Sequence, residues 1–318
     1  HKLIFLQPVL ITRTGIGKKL ELLKLPTSDA NEPLVSPVQW DNATTQFLVF
    51  ILENFAPDII VSKSISERFY SVLNTYFDTA HTKMKQVRTG PVIYLPLSIE
   101  EYWSSLKSKS RNQLKRKLRR AREAGFEFRV VHSTGSPSDC NLDRALDKLT
   151  QLHRMRFDSM NRDSFFVKSD IQKFHRLLCE SPSSSPVSFT FTEAVLDGEV
   201  VGSIYGMRSN QVYIGLMTGF NPGFAAYSLG ILLIYSTIEN LMTYQVMVFD
   251  FKCGKEAYKR WWTKDYYESY DFNICLNRRG QFLGIVLDLM NLPYRGRIFS
   301  KNIHKLVFRA GKILKKII

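Results

Sequence analysis

The residues best able to do chemistry fall in one stretch, Val187 to Trp262. Tyr227-Ser228-Leu229-Gly230 leads into an apolar run, Ile231 to Met242, of helical length and spacing. A glycine loop that feeds a helix after a strand is a ready anion site. The first helical N–H groups point outward, and the macrodipole favours negative charge. Further on, Asp250 lies at the end of the strand-like run Val246 to Phe251, and Cys253 to Trp262 reads as a short helix. A carboxylate there could accept a proton or orient an amine. Capping the turn Lys252 to Gly254 is the equally open alternative. Lys259 could neutralise a phosphate or a developing negative charge, or stand as an exposed cation. Among six histidines, His153 is the best candidate proton acceptor, since an unperturbed imidazole titrates near pH 6.5. A buried, hydrogen-bonded structural histidine is the other reading of that position.

The elements that must carry these groups are legible around them. Val187 to Leu196, Glu199 to Arg208 and Gln211 to Phe220 are β-branched and aromatic-rich, with a strong hairpin signal at Asp197-Gly198. They predict a three-stranded antiparallel meander, followed by loop, helix, strand and short helix. His153 belongs to the amphipathic run Leu142 to Met160, and Ser169 to Glu180 predicts a second helix, capped by Ser169. Phe126 to Ser133 predicts the strand that opens this half of the chain.

The first hundred residues alternate strand and helix patterns. Val9 to Thr12 and Lys19 to Leu25 flank a turn at Thr14-Gly15-Ile16-Gly17. Thr44 to Phe55 and Glu67 to Tyr76 predict helices, with strands at Asp58 to Ile65 and Val92 to Leu97. No cluster of titratable groups stands out there. Ser98 with Glu101 forms a capping box, and Ser105 to Glu123 has no acidic residue before its last position. Leu114, Leu118 and Ala121 make its narrow apolar stripe. The cations around that stripe suit either a solvated connector or a phosphate-contacting surface. From Phe299 a basic amphipathic helix is expected. Ile303 to Ile317 form its apolar face, suited to an anionic membrane surface or to packing on the protein itself.

With 318 residues the chain suits two domains, and a formal net charge of +15 favours anionic partners. No helix-turn-helix or zinc-finger pattern appears, so sequence-specific DNA reading is not expected. Cys140, Cys179, Cys253 and Cys275 show no metal spacing and read as reduced thiols of a cytoplasmic protein. No metal is expected. No apolar run reaches transmembrane length, and no signal peptide is visible.

Tyr227-Ser228-Leu229-Gly230, Phe249-Asp250-Phe251, Gly254, Tyr258-Lys259 and Trp262 resemble the GNAT superfamily of acyl-CoA-dependent N-acetyltransferases. The likeness is closest to the CelD type, the cellulose-biosynthesis-associated acetyltransferases, a tandem relative of the FemABX aminoacyltransferases. The usual loop pattern is only partly kept: Tyr227 and Leu232 take its outer positions, and Gly230 is retained. The resemblance implies a mixed α+β fold of tandem GNAT-like modules, each a mostly antiparallel sheet flanked by helices. The expected division is a degenerate module at 1–97, a basic connector at 98–125, an acyltransferase module at 126–290 and a tail at 291–318. It implies acetyl-CoA or another acyl-CoA as donor, held by Tyr227, Ser228, Leu229 and Gly230. It implies Asp250, Lys259, Tyr258 and His153 as catalytic groups, with Tyr258 protonating a leaving thiolate. Arg156, Gly254 and Trp262 would contact the acceptor. That acceptor is expected to be an amino group of an anionic cell-envelope glycan or its lipid-linked precursor, met in the cytoplasm or at the inner membrane face. Aminoacyl transfer from charged tRNA and a non-catalytic binding module are the alternatives.

Overall fold

The computed structural model describes residues 5–23, 33–35, 39–132, 140–180, 187–254 and 256–290. In chain order the first elements are β1 (Phe5–Leu6), β2 (Val9–Arg13), β3 (Lys18–Leu22), β4 (Leu34–Val35) and α1 (Trp40–Phe55). Then come β5 (Ile59–Ser66), α2 (Glu67–His81) and β6 (Thr82–Tyr94). Two helices follow, α3 (Ile99–Ser105) and α4 (Ser108–Glu123), then β7 (Glu127–His132), α5 (Cys140–Asp158) and α6 (Ser169–Cys179). The meander is β8 (Val187–Leu196), β9 (Glu199–Ser209) and β10 (Val212–Phe220). The chain continues through α7 (Leu229–Thr243), β11 (Val248–Asp250), α8 (Lys259–Trp262), β12 (Tyr266–Cys275) and α9 (Arg278–Met290).

The architecture is mixed α+β, in two compact units. One holds the described residues up to Thr89 together with Tyr267 to Met290; the other comprises those from Gly90 to Tyr266. In the first, the strand order is β2-β3-β5-β12. β3 and β5 run parallel, and β2–β3 and β5–β12 are antiparallel. Its core packs α1 and α2 on the sheet through Leu48, Ile51, Phe69, Leu73 and Phe272. In the second, the order is β6-β11-β10-β9-β8-β7, and only the β10–β11 pair is parallel. Its largest core cluster joins Leu114, Ala121, Leu232, Leu233, Ile238 and Phe249, placing α4 and α7 on one sheet face. Burying one such side chain contributes about 1.5–3 kcal/mol.

The division differs from the one expected. The basic helix is a packed part of the second unit, because its stripe is shut into the core: Leu114 and Ala121 are both buried. The residues after Tyr267 join the first unit, because β12 pairs with β5 from Ser269 to Cys275. That pairing joins residues some 200 positions apart, which no local pattern announces. α9, Arg278–Met290, contains two glycines and was not among the expected helices. Gly280 lets the helix start hard against β5, since a Cβ there would lie 1.8 Å from the Asp58 carbonyl oxygen. The short helix after β11 is reduced to Lys259–Trp262, and α6 is preceded by Lys168 without a side-chain cap from Ser169. The Ser98 cap is present: its Oγ accepts the Glu101 N–H at 3.1 Å. Asp197 and Gly198 take the left-handed φ values of 50° and 79° that a two-residue hairpin requires. The expected tail at 291–318 lies outside the described residues. Among those described, no helix is long and apolar enough to cross a membrane.

Candidate active site

The site grows from the parallel pairing of β10 and β11 in the second unit. β11 is three residues long and matches only Val212, Tyr213 and Ile214 of β10. β10 then shifts register against β9 between Gly215 and Met217 and runs on to Phe220. Beyond Ile214 no β11 residue pairs with it. A bulge and a pairing that ends early re-aim backbone groups that a closed ladder would consume.

Helix α5 covers the far end of β10. Gly219 permits this approach: a Cβ there would sit 2.5 Å from the backbone nitrogen of His153. Arg156, one turn on, donates from Nη1 to the Thr218 carbonyl at 3.1 Å and lies 4.8 Å over the Phe220 ring. Burial lowers the pKa of this guanidinium, and Tyr258 and Glu256 beside it act in the opposite sense.

The loop after β11 brings up the other groups. Asp250 accepts the Lys252 N–H at 2.6 Å, the capping alternative foreseen for it. Lys252 takes a left-handed φ of 62°. Lys259 is only 4% exposed. Its Nζ donates to the Lys252 carbonyl at 3.0 Å and pairs with Glu256 at 3.0 Å. It is therefore an internal clasp, without the open face that neutralising a phosphate needs. Gly254 leaves room for that clasp, since a Cβ there would fall 2.1 Å from Glu256 Oε2 and 2.7 Å from Lys259 Nζ. Burial first, and Glu256 second, push the Tyr258 phenol up to about 12, against the opposing charge of Arg156. Arg156, Glu256, Tyr258, Lys259 and Gly254 are thus one cluster.

A second cluster surrounds the α7 N-terminus. A 3-10 turn, Pro222–Tyr227, ends at Ser228 in a left-handed conformation, and α7 begins at Leu229. The N–H groups of Leu229 and Gly230 open the helix without intrahelical acceptors. Helix α4 supplies the charge: Lys117 Nζ donates to Ser228 Oγ at 2.6 Å, and Arg120 lies 5.1 Å over the Tyr227 ring. Lys117, Arg120 and the two open N–H groups can hold a phosphate-bearing group. The Leu229 side chain is buried in the core, so only its backbone is available. Phe220 links the clusters, lying under Arg156 and 3.4 Å from where a Cβ on Gly230 would stand.

Two expected site residues stand apart. His153 is 2% exposed, stacked on Phe157 at 4.2 Å, with Nδ1 2.7 Å from Ser164 Oγ. Burial first, and Arg156 second, push its pKa down to about 4, so the ring stays neutral and braces α5. This is the structural reading, and the ring has no open path to a substrate proton. Trp262 is 7% exposed and belongs to the core.

Residues 108–260 match the family model described as Acetyltransferase (GNAT) domain. The chain carries a GNAT acetyltransferase domain. Comparison with curated proteins by sequence finds no match. The fold resembles the C-terminal DUF2156 domain of a protein from Agrobacterium fabrum at 12% identity, with a TM-score of 0.58 and 89% of each chain covered. It also resembles FemX at 12% identity, with a TM-score of 0.57 over 88% of this chain and 90% of FemX. L-PGS from Bacillus licheniformis is similar at 11% identity, with a TM-score of 0.54 over 88% of this chain and 83% of that one. At these identities the likeness speaks for the fold.

Within the GNAT domain the sequence did not single out Glu256, Lys117, Arg120 or Phe220. Lys117 and Arg120 sit among indistinguishable cations, and Glu256 is one acid beside basic neighbours. Their roles depend on the turn at Ser228 and on the space at Gly254.

Proposed function

We propose that this chain transfers an acyl group from acyl-CoA to an amino group of an anionic cell-envelope glycan or its lipid-linked precursor. The observation that carries this reading is Lys117 at Ser228, at the α7 N-terminus, together with the β10–β11 pairing that ends at Ile214. The donor phosphates would meet Lys117, Arg120 and the N–H groups of Leu229 and Gly230. The thioester would lie along β10 beyond Gly215, where backbone N–H groups can stabilise the oxyanion. Attack by the amine forms the new C–N bond and expels the thiolate. Tyr258, still protonated with its pKa near 12, serves that sulfur as a hydrogen-bond donor. Glu256, half-exposed beside Arg156 and Tyr258, is placed to take the amine proton; Lys259 fixes its carboxylate. Asp250 holds the loop turn. The acceptor class rests on the CelD-type resemblance and the surplus of cations, and in this reading the enzyme works at the cytoplasmic face of the membrane.

Aminoacyl transfer from charged tRNA is the second reading, favoured by the cationic face of α4 and the partly kept donor loop. Calorimetric titration of the full chain and of Lys117→Ala with acetyl-CoA separates the two. Acetyl-CoA should bind the native chain and bind the variant about tenfold more weakly, the loss of one charge-assisted hydrogen bond. No binding to either moves the donor to charged tRNA. Equal binding to both removes Lys117 from the site. Release of free CoA thiol with an amino-sugar oligosaccharide as acceptor then tests the transfer itself.

A further inference from the structure

Helix α9 carries apolar surface that the described residues of its own unit do not cover. Gly280, Leu283, Gly284 and Val286 are its buried side, and Leu283 packs with Ile59 and Val61 of β5. The opposite side is as apolar. From Phe282 to Met290 the exposed residues are Phe282 (41%), Ile285 (53%), Leu289 (38%) and Met290 (38%). Phe282, Ile285 and Leu289 follow the i, i+3, i+7 spacing that lines side chains along one helix face. Asp288, the one acid of the helix, is half-buried and does not interrupt them. A helix apolar on both sides is ordinarily enclosed, and an exposed stripe of this kind marks a contact surface.

Charge identifies the contact. The stripe begins beside Arg278 and Arg279, both exposed in the first turn of α9. Cations there oppose the helix macrodipole, so helix stability does not explain them. The cap is made by Asn277, whose Oδ1 accepts the Gly280 N–H at 3.0 Å. Arg278 lies four residues before Phe282 and so stands at the head of the same face. From Arg278 to Ile318 the sequence has ten Lys and Arg and one acid, Asp288. A second copy of the chain would cover the stripe but set cations against cations. The segment 291–318 would cover it with its own apolar residues, yet leave the arginines unanswered. An anionic bilayer offers apolar depth and negative charge together. At 13 residues α9 is too short to span one and would lie in the interface.

We propose that the outer face of α9 is a docking surface for an anionic lipid bilayer. Phe282, Ile285 and Leu289 enter the headgroup boundary, and Arg278 and Arg279 meet lipid phosphates. The proposal rests on the membrane-facing part of the reading above. Its test needs no acyl transfer, so the two fail separately.

The test is co-sedimentation of the full chain with vesicles of phosphatidylcholine alone and of phosphatidylglycerol mixed with phosphatidylcholine. The native chain should pellet with the anionic vesicles, less so at high salt, and stay in solution with the neutral ones. Phe282→Gln with Ile285→Gln should weaken partition at least tenfold, because two apolar side chains no longer enter the boundary, with Tm unchanged. Arg278→Gln with Arg279→Gln should weaken it about thirtyfold at low salt. Transfer to a soluble oligosaccharide, followed in parallel, should be unchanged in both variants. Its absence in every form, with vesicle binding kept, counts against acyl transfer and leaves the docking surface supported. A native chain that ignores anionic vesicles overturns the proposal. So does undiminished binding by the Phe282→Gln and Ile285→Gln form, which would assign attachment to the segment after Met290. A Tm lowered by several degrees, or a changed molecular mass, in that form would mean that the chain itself or a second copy covers the stripe, and overturns it too.

Discussion

Gly219→Ala tests the contact on which the Arg156 cluster depends. A Cβ at this position would lie 2.5 Å from His153 N, 2.8 Å from Leu152 C and 3.0 Å from His153 Cα. All three obstacles are backbone, so no side chain can rotate away. Ordinary contact begins near 3.4 Å, and α5 must therefore retreat from β10 by roughly 0.9 Å, a shift that close-packed interiors resist. Overpacking of this kind costs about 1–3 kcal/mol. In a unit of this size, each kcal/mol lowers Tm by about 2–4 °C, so a drop of roughly 2–12 °C is expected in a thermal melt followed by circular dichroism. The functional consequence is separate. Arg156 would be carried from 3.1 Å to roughly 4 Å from the Thr218 carbonyl, beyond hydrogen-bond range. Transfer should then fall further than the folded fraction does. A variant that melts within about 1 °C of the native chain would refute the packing argument. A destabilised variant with full transfer per folded molecule would refute the link between α5 and the site.

Glu256→Gln should lower transfer by about a hundredfold, the scale of a positioned acid–base group, while costing only about 1 kcal/mol, since the pair with Lys259 is open to solvent on the Glu256 side; unchanged steady-state rates would remove Glu256 from the chemistry. Gly254→Ala should displace the Glu256–Lys259 pair and mimic Glu256→Gln in rate, and native kinetics would show the pair to be dispensable. His153 and His175 are both buried with pKa values pushed down to about 4. The unfolded chain takes up these protons near pH 6.5 and the folded chain does not until near pH 4, so stability is lost as pH falls through that window. The loss is on the order of 3 kcal/mol for each ring, and urea unfolding at stepped pH should show it; a flat profile would contradict the burial of both rings.

Much of the GNAT domain was legible because its signals are local. The Asp197-Gly198 turn needs only two residues with positive φ, and α7 announces itself by an apolar run at helical spacing. Residues whose role depends on distant partners were not legible. Arg88 meets Asp271 across 183 positions, and the sequence around either shows no cluster. β6 was foreseen only at its end, because Thr82 to Gly90 is a polar run without strand alternation. α9 was hidden by its glycines, which ordinarily mark turns. Here Gly280 fits because the Asp58 backbone stands too close for a larger residue. At the site, Asp250 and His153 had two readings each. Their immediate partners, the Lys252 N–H and Ser164, correspond to the structural reading.

The cations of α4 show why net charge alone misplaces function. Its sequence suggests one uniform basic surface, yet the cations differ by what stands beside them. Arg111 Nη1 reaches the Trp103 carbonyl at 3.4 Å, and Lys115 lies 5.6 Å over the Trp103 ring. Arg119 pairs with Glu123 at 3.6 Å on the exposed face, where such a pair contributes little. Lys117 and Arg120 turn toward Ser228 and Tyr227. That selection follows from the buried stripe. Leu114 and Ala121 fix the rotation of the helix against α7, and Lys117, one turn after Leu114, is thereby delivered to the loop. The proposed anion site is therefore a product of core packing, with its charge set in place by two apolar residues.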